Sequence, residues 1–220
     1  MISDEQQLII DKAAAFVKAT LLNAEGGHDW FHIYRVWKNA IALAKEETAD
    51  MFVVQLAALL HDIADAKFHN GDDAIGPATA GKFLLEEGVE SNVVHHVQNI
   101  IANISFKGGQ HTLTFNSKEL DIVQDADRLD AIGAIGIARA FSYGGFKNRR
   151  MYDPEIRPTL NMDQLAYRNS QAPTINHFYE KLLLLKDRMN TAAGKKMAER
   201  RHEFMKEYLE QFYAEWEGVR

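Results

Sequence analysis

The stretch DMFVVQLAALLHDIAD, residues 50–65, constrains the fold of this chain more than any other. From Met51 to Leu60 its apolar side chains fall on nearly every side of a helix, which suits only a position inside a packed core. Into that setting the chain places His61, Asp62 and then Asp65. An ionised carboxylate in an apolar interior is strongly unfavourable unless it is paired or coordinates a cation. Read as one helix over about 50–65, the segment puts Asp65 four residues from His61 and three from Asp62, on the same side. Two carboxylates so close repel each other, and a cation between or beside them relieves that.

The rest of the chain reads as helices around this one. Ser3 with Gln6 forms a capping-box pattern that opens a helix over about 4–23, stopped by Glu25-Gly26-Gly27. A second helix runs over about 29–48 with Ile33, Val36, Ala40 and Ala44 as its apolar stripe, and Asp29 is placed to cap it. Polar residues 67–77 form a loop, and two more helices are expected near 77–87 and 90–104. Residues 105–117 connect to a long helix over about 118–141. Gly144, Gly145, Pro154 and Pro158 mark 142–163 as a long loop, and long loops in compact domains are often functional. The remainder reads as two amphipathic helices broken near 190–194. No strand pattern is convincing, so the expected fold class is all-α. We expect a single domain over 1–220, with a core of about 25–141 and C-terminal helices of about 164–217.

Polar residues intrude on two other apolar stripes. His32 stands one turn before Val36 on the inward side of the second helix. In the long helix the stripe runs Leu120, Val123, Asp127, Ala131, Ala134 and Ala138, so Asp127 takes an apolar place. Asp125 and Asp130 lie off it, where solvation or ion pairing is expected. His32, His61, Asp62 and Asp127 thus form a nitrogen and oxygen donor set drawn from three helices, of the kind that binds zinc, manganese, iron, cobalt or nickel. Each also has an ordinary alternative. An inward histidine can be a hydrogen-bonded core residue, and an inward aspartate can cap a helix or meet an arginine. Periodicity alone leaves the two balanced.

The order and wording of these residues resemble a known family. An early His, a later His-Asp pair and a distant Asp match the signature of the HD-domain metal-dependent phosphohydrolases. DWFHIYRV, LLHDIADAK, ISFKGG, IVQDADRLDAIGAIGIARAF, YGG and NHFYEKLLLLKDRMNT are similar to its small stand-alone bacterial members, over most of residues 25–217. The resemblance implies an all-helical HD-type fold and one divalent cation (Mn, Fe, Co, Ni, Zn or Mg) held by His32, His61, Asp62 and Asp127. It further implies that Asp65, three residues after the His-Asp pair, assists catalysis. A cation of this kind lowers the pKa of a bound water and polarises a phosphoryl oxygen. Asp65 is then placed to orient or deprotonate that water. Charge gathering on phosphoryl oxygens calls for cationic partners. Lys67, Arg35, Arg128 and Lys147 are the candidates, the first as a catalytic group and the others as substrate contacts. Each could instead sit in a structural ion pair or a solvated loop.

The expected activity is hydrolysis of a nucleotide or another small phosphorylated compound, with nucleoside triphosphates or pyrophosphates in view. The alternatives are a metal- or nucleotide-binding sensor without turnover and, less well supported, a di-iron oxygenase of the same superfamily. The oxygenase needs extra ligands, for which His95 and His96 are the available histidines, although both also suit structural or surface roles. Tyr143 with the basic residues of GGFKNRR could recognise a base and phosphates or be an ordinary loop. Lys195 to Glu207 reads as a solvated charged face in which Arg201 and His202 carry no evident chemistry.

Composition narrows the field. With no cysteine, disulfides, thiolate nucleophiles and sulfur-ligated zinc are excluded. With 46% hydrophobic residues a packed core is expected rather than disorder. A net charge of −6 weighs against a stable nucleic-acid partner. The first residues lack a signal-peptide pattern, and no apolar run is long enough to span a bilayer, so a cytoplasmic location is expected. The Leu- and Met-rich C-terminal surface suits either a homodimer contact or completion of the core.

Overall fold

The computed structural model describes residues 2–22, 29–63, 74–104, 115–162, 166 and 169–219. Among them all regular structure is helical, as the patterning predicts. Two compact units divide the chain, Met1–Asp127 and Arg128–Arg220.

The first unit is built on α1 (Asp4–Thr20), α2 (Trp30–Glu47), α3 (Met51–Leu60), α4 (Ile75–Glu86), α5 (Ser91–Asn103) and most of α6 (Lys118–Asp130). Every residue of α3 from Phe52 to Leu60 is buried, and α1, α2 and α5 pack around it. The all-round apolar pattern therefore does mark the centre of the core. Asp50 caps α3 by accepting from the amides of Phe52 and Val53, and Ser3 with Gln6 forms the expected capping box on α1.

The third helix is shorter than its spacing suggests. It ends at Leu60, and His61–Ile63 form a turn closed by the Ile63 amide on the Leu60 carbonyl (3.2 Å). The cause is local: the His61 ring donates to the Ala58 carbonyl (2.9 Å), the acceptor that a continuing helix would offer to the Asp62 amide. The helix expected over about 50–65 thus ends at Leu60, and Asp65 lies outside the described residues.

The second unit holds the end of α6, α7 (Gly133–Phe146), α8 (Thr174–Glu180), two single 3₁₀ turns (Leu182–Leu184 and Lys186–Arg188) and α9 (Ala192–Trp216). Its core is aromatic. Phe141, Phe178, Tyr208 and Phe212 form a cluster with ring centroids 6.0–6.4 Å apart. The predicted long helix over 118–141 is two helices, α6 and α7. Between them Ile132 is extended and Gly133 takes φ +76°, a left-handed value that glycine adopts without strain. Ala134 and Ala138, assigned to one inward stripe with Asp127, are consequently exposed on α7. Part of the expected loop over 142–163 is also helical, since α7 continues to Phe146. The break in the C-terminal helices spans the 3₁₀ turns, after which Thr191 caps α9 by accepting from the Gly194 amide.

Candidate metal centre

Three of the predicted residues converge in the first unit. His32, His61 and Asp127 each offer a ligand atom, and those atoms all lie within 4.8 Å of one another. Among the described residues this is the only such cluster. Each side chain is delivered by a helix whose placement follows from the sequence. Asp29 caps α2 by accepting from the His32 amide (2.9 Å), which sets His32 in the first turn. Behind it Ile33, Val36 and Ala40 are fully buried and anchor the inward face of α2. The Trp37 indole donates to Gln55 on α3 (3.0 Å), tying α2 to the central helix.

Helix α6 is fastened to the same body. The Asn39 amide reaches the Ala126 carbonyl (3.4 Å), next to Asp127. Gln124 donates to the carbonyls of Asn103 and Ile104 at the end of α5. Glu119 accepts from the Asp50 amide (3.0 Å), and Lys118 donates to the Glu47 carbonyl (2.9 Å). The carboxylate is thus presented from a helix fixed at several points to its neighbours.

The donor chemistry fits a divalent cation. Because the Ala58 carbonyl can only accept, His61 Nδ1 carries the proton, which leaves Nε2 with a free lone pair for a ligand. His32 Nε2 lies 3.5 Å from Asp127 Oδ1, close to the separation of about 3 Å between neighbouring donors on an ion with bonds of about 2.1 Å. The two imidazoles stand edge to face, 5.4 Å between ring centres. Both are buried, at 3% and 9% exposure, whereas the Asp127 side chain is 44% exposed. The nitrogen donors are thus shielded, and the carboxylate is partly exposed.

Other predicted residues are placed as follows. Asp62 is half-buried and stands outside the cluster of three. Asp65 and Lys67 lie outside the described residues, as do His69, Asp72 and Asp73. Arg35 is half-buried on α2. Arg128 donates to the Arg188 carbonyl (2.8 Å). Lys147 is exposed just after α7, with its ammonium over the rings of Phe146 (4.9 Å) and Tyr143 (5.7 Å). His95 is exposed, and His96 contacts Ser117 (3.1 Å) and Glu119 (3.5 Å) on its own unit, which is the structural role considered for it.

Of the two readings for Asp125 and Asp130, solvation or ion pairing, solvation fails for both, which are 0% and 1% exposed. Asp130 is instead ion-paired with Arg139 (2.5 Å). Arg201, expected on a solvated face, is half-buried and donates to the Leu129 carbonyl (2.5 Å). Its neighbours Arg200, His202 and Glu203 are also charged or polar, so nothing local distinguishes it.

A helical core carrying a His-Asp pair at the end of its central helix defines the HD-domain class, and this chain belongs to the HD-domain family, whose sequence model matches residues 30–132. That span runs from the start of α2 to the turn after α6 and contains the whole cluster. YpgQ of Bacillus subtilis (strain 168) is 37% identical over 212 residues, covering 95% of this chain and 94% of YpgQ. The crystal structure of an HD-superfamily hydrolase from Bacillus thuringiensis superposes with a TM-score of 0.78 at 46% identity, covering 97% of this chain and 99% of that one. A crystal structure of B. subtilis YpgQ in complex with ADP superposes with a TM-score of 0.76 at 35% identity, over 98% of each chain. Among the described residues no helix is long and apolar enough to cross a membrane.

Proposed function

We propose that this chain is a metal-dependent phosphohydrolase acting on a nucleotide or a closely related small phosphorylated compound. The observation that carries the proposal is the meeting of His32, His61 and Asp127 within 4.8 Å, with His61 held in the tautomer a ligand needs. Membership of the HD-domain family and likeness to an HD-superfamily hydrolase support it. The ADP complex of YpgQ supports a nucleotide as the substrate class.

In this scheme His32, His61 and Asp127 hold one divalent ion, and Asp62, next to His61 in the chain, supplies a fourth ligand. Such an ion polarises a phosphoryl oxygen and makes a water more acidic. Asp65 orients or deprotonates the attacking water, and that water displaces the leaving phosphate or alcohol oxygen from phosphorus. Lys67 and Arg35 bind phosphoryl oxygens.

The test is phosphate and pyrophosphate release from a panel of nucleoside triphosphates, diphosphates and cyclic nucleotides with added Mn²⁺. The parent is compared with Asp65→Ala and His61→Ala. We expect turnover of at least one nucleotide by the parent, loss of two or more orders of magnitude in Asp65→Ala, and none in His61→Ala. Nucleotide and metal binding without turnover across the panel would favour a sensor and overturn the hydrolase assignment.

A further inference from the structure

The last turn of α6, which follows Asp127, is held by arginines from two later helices. Arg139, on α7, donates through Nη1 to the Asp130 carbonyl (3.3 Å) and to Asp130 Oδ2 (2.5 Å). Arg201, on α9, donates through Nη1 to the Leu129 carbonyl (2.5 Å). The final carbonyls of a helix have no amide partner within it, and they form the negative end of its dipole. Here the Leu129 carbonyl already accepts the Ile132 amide (3.3 Å), so Arg201 adds a second donor to it while Arg139 serves the Asp130 carbonyl. Both guanidinium groups set positive charge against the negative end of the dipole.

The arrangement is closely packed. Asp130 is 1% exposed, so its charge depends on protein partners rather than water. Burial pulls the Arg201 pKa down while Asp130 pushes it back up. At Gly133 an added Cβ would lie 3.0 Å from both Cβ and Cγ of Arg201, so the arginine stem lies flat against the turn that ends α6. The glycine thus serves twice, in its left-handed backbone and in the room it leaves for Arg201.

Asp127 precedes Asp130 by three residues, less than one helical turn. A side chain in a ligand set must be held to within about 0.5 Å and 10–20° to work. Contacts on this last turn therefore bear on the Asp127 carboxylate through the helix that both share. We propose that Arg139 and Arg201 are positioning residues for the metal centre, capping α6 so that Asp127 meets His32 and His61. The proposal rests on the metal-binding reading given above.

The test uses the full chain with Mn²⁺ alone as the probe, its binding followed by electron paramagnetic resonance and its affinity compared between parent and variants. Arg201→Ala should bind Mn²⁺ at least tenfold more weakly. Arg201→Lys, which keeps the stem and the charge but not the planar fork, should fall between, about threefold weaker than the parent. Arg200→Ala, an exposed neighbour, should match the parent. A lowered melting temperature in Arg201→Ala with parental Mn²⁺ affinity would show a role in stability alone and overturn the proposal. If Arg201→Ala does not fold, Arg201→Lys decides, and parental affinity there overturns it equally. A parent that binds no Mn²⁺ refutes the metal reading itself, a failure visible before any arginine is changed.

Discussion

Acidification should destabilise the second unit through a single histidine. His177, on α8, is largely buried, and its pKa is lowered from 6.5 to about 4 by desolvation first and then by the positive charges of Lys181 and Arg149. The unfolded chain protonates this imidazole near pH 6.5, whereas the folded chain resists until about pH 4. Between those values the unfolded state binds more protons, so stability rises with pH and falls on acidification. Above about pH 7 the group contributes nothing to this dependence. The penalty is about 2 kcal/mol at pH 5 and approaches about 3 kcal/mol below pH 4, at about 1.4 kcal/mol per pKa unit. His177→Gln removes the titration while keeping a polar side chain of similar length. Urea unfolding of both proteins at pH 7.5, 6.5 and 5 gives the stability difference at each pH, and carboxylate titrations common to both cancel. The variant should gain about 2 kcal/mol on the parent between pH 7.5 and 5. A difference that stays constant across that range would refute the burial argument.

Other perturbations follow from the same structure. Gly133 and Gly88 both have φ +76°, but an added Cβ meets Arg201 at Gly133 and nothing within 4 Å at Gly88. Gly88→Ala should cost about 1–2 kcal/mol from the left-handed backbone alone, and Gly133→Ala should lower the thermal midpoint further; equal losses would show that Arg201 is not displaced. Asp130→Ala leaves Arg139 and Arg201 without their buried counter-charge and should cost about 3–5 kcal/mol in urea unfolding. Mn²⁺ at a hundred times its dissociation constant should stabilise the parent by about 2.7 kcal/mol. The same concentration should leave the melting temperature of His32→Ala or His61→Ala unchanged.

Much of the architecture was legible without coordinates. The all-round apolar run of α3 could belong only to a central helix, and it does. Capping chemistry placed two helix starts well, because Ser3 and Asp29 act through bonds to amides three residues away. Polar residues standing where apolar ones belong singled out His32, His61 and Asp127, whose atoms the fold brings together. Helix ends were less legible. The His61 ring takes the carbonyl that would have prolonged α3, and the glycine at 133 ends a stripe that still looks periodic in the sequence.

Sequence alone determined the helical class and the central helix and marked His32, His61, Asp62 and Asp127 as donors, because these depend on periodicity and on contacts within a turn or two; the fold brings three of the four together. Tertiary structure alone decided that Asp130 is buried against Arg139 and that Arg201 grips the end of α6. Arg201 lies 72 residues from the carbonyl it binds, in a segment whose charges all look alike. Local propensity carries no information about a partner that distant. Only folding brings the guanidinium to the Leu129 carbonyl, and that meeting separates a buried cap from a solvated charge.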